Sequence, residues 1–222
     1  MSCGVAASPR SAPDPRTGAH TPGRSAQGRD ERSSARAPAA AIRLSLAPTS
    51  ARGLVLRRFG AARLRFPSPR EIHATRRYDA PAALVFAAWT EAPRVQRWWV
   101  DARHPLVDCA VDLRVGGSWR LAAAAEDGPL VWRGEYRELR PPTRLVTTQR
   151  IDHLDDNEAL LTVTLDERRG VTTLDAHFLH WDRRRRDGHL QAGMVGSLRA
   201  ALERLEVYLL AEAERAATTL GA

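Results

Sequence analysis

The sequence predicts an α+β fold in which a curved sheet of seven antiparallel strands wraps around a long C-terminal helix. Three observations carry this expectation. Trp132, Gly134 and Tyr136 alternate with Arg133, Glu135 and Arg137, the two-residue period of a strand with one dry and one wet face. Pro141-Pro142 then stops ladder pairing, and the next strand follows too soon for a crossover helix, so the two strands should be antiparallel neighbours. Near the C-terminus, Leu190, Met194, Leu198, Ala201, Leu205 and Leu209 recur at helical spacing, while Arg199, Glu203, Arg204 and Glu206 occupy much of the remaining surface.

The elements follow in order from Glu71. Residues 72–78 form a candidate first strand, and Asp79-Ala80-Pro81 opens a helix whose apolar stripe is Leu84, Val85, Ala88 and Trp89. Thr90-Glu91-Ala92-Pro93 breaks it and starts a second short helix that runs into Trp98-Trp99. Strands are expected near 106–113, 117–124, 130–139, 144–151, 159–167 and 171–179. Their turns are marked by Gly116-Gly117, Asp127-Gly128-Pro129, Pro141-Pro142, Asp155-Asp156-Asn157 and Arg168-Arg169-Gly170. A single long helix over about 187–213 closes the chain.

Charge is unevenly placed. Residues 1–69 carry 12 Arg against Asp14, Asp30 and Glu31, whereas residues 70–222 carry 22 Arg against 23 acids. The basic balance therefore belongs to the N-terminal third and gives no specific nucleic-acid signature in the domain. Pro, Ser, Ala, Gly and Arg dominate residues 1–40, so residues 1–69 read as a disordered tail, 70–213 as the folded domain and 214–222 as a flexible C-terminus. No run of about 18 apolar residues exists, so no membrane-spanning helix is expected. Cys3 and Cys109 do not make a disulfide framework, and a reducing, cytoplasmic setting is the default.

The apolar face of the meander and the apolar stripe of the last helix must cover each other. A sheet of this many twisted strands curls as it does so, leaving a space open at one end. That space is the expected ligand cavity.

Residues from about 70 to 212 resemble the START-like (SRPBCC) superfamily of helix-grip domains. Within it they are most similar to the domain named after the homologue of the activator of the heat-shock-protein-90 ATPase. The resemblance rests on Tyr78 to Pro81, Val85-Phe86, Ala88-Trp89-Thr90, Trp98-Trp99 and Gly116 to Arg120, continuing through Gly134 to Val146, Thr162 to Leu165 and Gly170 to Leu174. It implies a pocket for an apolar small molecule and no single activity, since members include lipid carriers, cyclases, ring-hydroxylase subunits and chaperone cofactors. Val100-Asp101 stands where the family has Gly-Pro, Ser197 where an aromatic usually follows the helix glycine, and Phe178 where a polar residue often ends the inner row.

Trp119, Trp132, Tyr136 and Phe178 fall on the inward phase of their strands, Met194 and Leu198 on the inward side of the helix. These are core residues or cavity walls. Gly134 and Ala176 among bulky neighbours favour some empty space. Trp98 and Trp99 are adjacent on a short helix and cannot both face the core, so one is expected at the cavity mouth or the surface. Gln149 and Glu138 are placed to face inward and orient a polar group of a ligand. The candidate ligand-binding set is therefore Trp98, Trp119, Trp132, Tyr136, Gln149, Phe178, Met194 and Leu198.

Chemistry of other kinds finds little support. His177 and His180 are three apart in a strand and point to opposite faces, which prevents them sharing an ion. His153 with its neighbouring acids does not match a calcium loop. No nucleophile elbow, phosphate-cradling loop or Cys-x-x-Cys pair occurs. Arg183 to Arg186 read as a solvated turn before the last helix. Neither a cofactor, a metal nor a catalytic residue is expected. Three functions stay open: a binder of a small hydrophobic or amphipathic molecule, a chaperone-type adaptor acting by protein docking, and a cyclase- or hydrolase-like enzyme.

Overall fold

The computed structural model describes residues 57–154 and 157–220. Residues 1–56 of the tail expected over 1–69, Cys3 among them, residues 221–222 and the Asp155-Asp156 turn lie outside the described residues. Strands β1 (Arg63–Arg65), β2 (Glu71–Tyr78), β3 (Leu106–Val111), β4 (Ser118–Ala123), β5 (Leu130–Arg140), β6 (Arg144–Ile151), β7 (Ala159–Arg168) and β8 (Val171–His180) form one antiparallel sheet in the order β1-β2-β8-β7-β6-β5-β4-β3. Helices α1 (Ala82–Thr90) and α2 (Ala92–Val95) follow β2, and α3 (Arg183–Gln191) and α4 (Met194–Leu220) end the chain.

Among the described residues, the meander from β3 to β8 arises from the turns expected at Gly116-Gly117, Asp127-Gly128-Pro129, Pro141-Pro142 and Arg168-Arg169-Gly170. On β8, Thr172, Leu174, Ala176, Phe178 and His180 are buried while the residues between them are half-buried, so one face is core and the other is outer surface. Across the sheet this inner row meets Leu202, Leu205 and Leu209 of α4 in one apolar cluster. Glu167 of β7 accepts from the Ala82 N–H at 2.7 Å, placing an anion at the N-terminus of α1 where the helix dipole favours it.

Two departures from the expected architecture have physical reasons. Among the described residues the sheet has eight strands, not seven: Arg63–Arg65 pairs with β2, with Leu64 packed against the core and Ala62 buried. Three residues are too few to show a period, and flanking arginines hide the apolar one. The expected boundary at residue 69 falls after this strand. The closing helix is two helices, because Gly193 adopts φ +83°, the left-handed conformation in which glycine ends a helix without penalty. The apolar spacing Leu190-Met194-Leu198 runs straight through this break and masks it. Helix α4 also continues to Leu220, past the expected end at 213.

A charge sits inside the grip. Arg76, on the inner row of β2, pairs with Glu206 of α4 at 2.9 Å, and both side chains are buried. Glu206 also accepts from the Phe59 N–H at 3.3 Å. The pair ties the N-terminal segment, the sheet and α4 to one carboxylate.

Candidate functional site

Between the sheet and α4 lies a cavity of about 140 Å³. Six of the eight sequence-predicted residues line it: Trp98, Trp132, Gln149, Phe178, Met194 and Leu198. The exposed His153, Ala192 and Ser197 also line it, which puts its mouth between the turn after β6 and the α3–α4 junction. Trp119 and Tyr136 are elsewhere. They line a second space of about 30 Å³, beside β4 and β5, with Val95 and Leu121. Trp89, Trp99, Gln149 and Leu161 belong to both walls and form the partition between the two spaces.

The partition is aromatic. Trp89 stands 5.2 Å from Trp98 and 6.1 Å from Trp99, ring centre to ring centre, and Trp99 meets Trp132 nearly perpendicularly at 6.1 Å. Edge-to-face packing of this kind adds to the burial of the rings themselves. Trp98 is fully buried and donates from Nε1 to the Ala88 carbonyl at 2.8 Å. Trp99 is the half-buried member of the pair. Arg204 of α4 donates to both the Trp98 and Trp99 carbonyls at 2.9 Å, so the helix grips the turn that carries the tryptophans.

The room expected beside Gly134 is already filled. Trp119 lies opposite Gly134 in the ladder, and a Cβ on this glycine would stand 1.8 Å from the Thr148 carbonyl oxygen and 2.7 Å from Trp119 Nε1. Trp119 Nε1 donates to Thr147 Oγ1 at 2.6 Å. Burial raises the Tyr136 phenol well above its ordinary value, keeping it neutral.

Polar groups on the cavity wall are few and incompletely matched. Gln149 Oε1 and Trp89 Nε1 are buried without a hydrogen-bond partner, an acceptor and a donor respectively. Leaving such groups unpaired costs about 1–3 kcal/mol each. His189 of α3 lines the same cavity, with Phe178 edge-on at 6.3 Å. Its Nδ1 lies 3.0 Å from His180 Nε2, and His180 Nδ1 lies 3.1 Å from the Arg70 carbonyl oxygen. Burial, and then the neighbouring His180, push His189 down to about 4, and burial lowers His180 as well.

The remaining candidates lie off the cavity. Glu138 follows a register shift in β5 and pairs with Arg140 and Arg144 at 2.6 and 3.3 Å, lining neither space. His177 is on the outer face, 3.8 Å from Glu71, while His180 is on the inner one. Arg183 to Arg186 form the first turn of α3, capped by Asp182, which accepts from the Arg185 N–H at 2.9 Å. Among the described residues no group of three or more His, Cys, Asp or Glu is placed to hold a metal ion, and no helix is long and apolar enough to cross a membrane.

Sequence reasoning missed Trp89, Trp99 and His189 as wall residues. The parity of β8 carries one usable signal, since Thr172, Leu174, Ala176 and Phe178 place His180 inward. No periodicity could place His189 against it, because that contact crosses from a strand to a helix.

The fold has close counterparts among solved structures. A Rhodobacter sphaeroides protein shares 22% identity at a TM-score of 0.61, covering 68% of this chain and 98% of its own. One from Mycobacterium smegmatis shares 16% at 0.62 (68% and 97% covered), and one from Nitrosomonas europaea 22% at 0.57 (67% and 99%). These likenesses establish the fold alone. No curated protein matches the chain. The family described as "Activator of Hsp90 ATPase homolog 1-like protein" matches residues 79–210. That match spans more than half of the sequence and agrees with the helix-grip architecture, so the chain belongs to the activator of Hsp90 ATPase homolog 1-like family.

Proposed function

We propose that this domain binds a small apolar or amphipathic molecule, about one aromatic ring in size, in the cavity between the sheet and α4. The observation that carries the reading is an aromatic-walled space whose lining residues include Gln149 and Trp89, with Gln149 Oε1 and Trp89 Nε1 buried and without a hydrogen-bond partner. A domain core built only for stability would fill the space and pair these atoms. The volume of about 140 Å³ argues for a small ligand: pockets for drug-sized molecules run to roughly 300–1,000 Å³, whereas an engineered cavity of about 150 Å³ takes benzene. A long-chain lipid is too large for it. Binding of this kind needs no cofactor. The proposal includes a cytoplasmic setting, consistent with the free thiol of Cys109.

Titrating the full chain with toluene tests the reading. Binding should quench tryptophan fluorescence and raise Tm in proportion to ligand concentration. A flat response to toluene, phenol and indole alike would remove it.

A second reading, docking on a chaperone of the heat-shock-protein-90 class, is favoured by the family description and by one surface feature. Trp181 is 77% exposed, and Arg70 donates to its carbonyl at 3.2 Å. On this reading the full chain accelerates the ATPase of such a purified chaperone and Trp181→Ala abolishes the effect. Unchanged ATPase rates would count against docking and leave the cavity untouched.

A further inference from the structure

Proton placement in the His180–His189 pair follows from its anchor. The Arg70 carbonyl can only accept, so His180 Nδ1, 3.1 Å away, carries the hydrogen. In a neutral imidazole the other nitrogen is then an acceptor, so His189 Nδ1, 3.0 Å from His180 Nε2, is the donor of that bond. His189 Nε2 is left as an unprotonated acceptor on a residue only 2% exposed.

We infer that His189, held in this tautomer by His180, accepts a hydrogen bond from the hydroxyl of a small phenol-type ligand seated in the cavity. The inference rests on the reading of that cavity as a ligand site. The wall selects the chemistry. It holds no carboxylate and no arginine, so neither an organic cation nor an anion finds a counter-charge there. His189 Nε2, left as an acceptor on a residue of this wall, calls for a donor, which a hydroxyl supplies. The aromatic ring that bears it fits the volume and packs among Trp89, Trp98, Trp99 and Trp132. His189 is kept neutral by burial and by its neighbour, which suits it to accept from a neutral phenol.

Calorimetry of the full chain with phenol and with toluene tests this, on wild type and on His189→Phe. Phenol should bind wild type about 10-fold more tightly than toluene, the order expected for one buried hydrogen bond. In His189→Phe the phenol-to-toluene ratio should fall to about 1, a ratio read within the variant and so independent of any change in cavity size. Equal affinities in wild type would overturn the inference and leave the cavity reading standing. Failure of both probes to bind would overturn both. A preference that survives in His189→Phe would assign the hydroxyl to another group and overturn the role of His189. Should the variant not fold, nitrogen-15 spectra of wild type decide: phenol should shift the unprotonated Nε2 resonance of His189, and an unmoved resonance would overturn the inference.

Discussion

His180 Nε2 and His189 Nδ1 stand 3.0 Å apart between β8 and α3, and that contact holds two neutral imidazoles in one order. Charging His180 breaks the order, because a hydrogen on its Nε2 removes the acceptor that His189 Nδ1 uses; charging His189 keeps that bond and converts its Nε2 from acceptor to donor. Groups facing the pair are the Arg70 carbonyl on one side, with Asp182 and Arg186 nearby on the α3 side.

The pair makes stability pH-dependent with a definite sign. His189 falls from 6.5 to about 4 in the folded state, so below pH 6.5 the unfolded chain takes up a proton that the folded chain refuses. Its contribution is fully present above pH 6.5 and is lost as pH falls toward 4, for a total on the order of 3 kcal/mol. Urea midpoints at pH 7 and pH 4.5 should therefore differ by more in wild type than in His189→Gln. Equal differences would show that the pair does not titrate this way.

Gly134→Ala should destabilise the domain by more than about 3 kcal/mol, because its Cβ would meet the Thr148 carbonyl, which is backbone and cannot step aside. Urea denaturation measures it. Near-wild-type stability would mean that β5 and β6 separate easily at this point.

Breaking the buried Arg76–Glu206 pair from one side leaves a charge in the core. Glu206→Gln should cost about 3–5 kcal/mol, whereas the double change Arg76→Met with Glu206→Leu should restore most of the loss. A double variant as unstable as the single one would show that the stranded Arg76 charge is not what costs stability.

Ala201→Leu adds bulk to a residue that lines the cavity. The empty volume should absorb it, so Tm should not fall, while toluene affinity should drop at least about 10-fold. Thermal melts with and without toluene read both quantities in one experiment.

The segment before β2 is expected to matter. A chain lacking residues 1–69 loses the β1 ladder, the Arg57–Asp79 ion pair and the Phe59 N–H bond to Glu206. It should be less stable than one lacking residues 1–56 by about 2 kcal/mol, the sum of a few modest hydrogen bonds and Leu64 burial. Equal melting temperatures would confine the domain to residues after 69.

The sequence by itself determined the meander, its turns and the inward rows, because strand parity and Gly or Pro turns are local properties of consecutive residues. It also determined that large aromatics of the strands face the helix, which set Trp132 and Phe178 opposite Met194. Only the tertiary structure decided which aromatics share a space. Trp119 and Tyr136 have the same inward parity as Trp132, yet the Trp89–Trp99 partition sets them apart, and parity along a strand is blind to what a helix inserts above it. Folding likewise brought together Arg76 with Glu206 and His180 with His189. Each pair joins a strand to a helix across the core, where register follows from packing and no spacing in the chain encodes it.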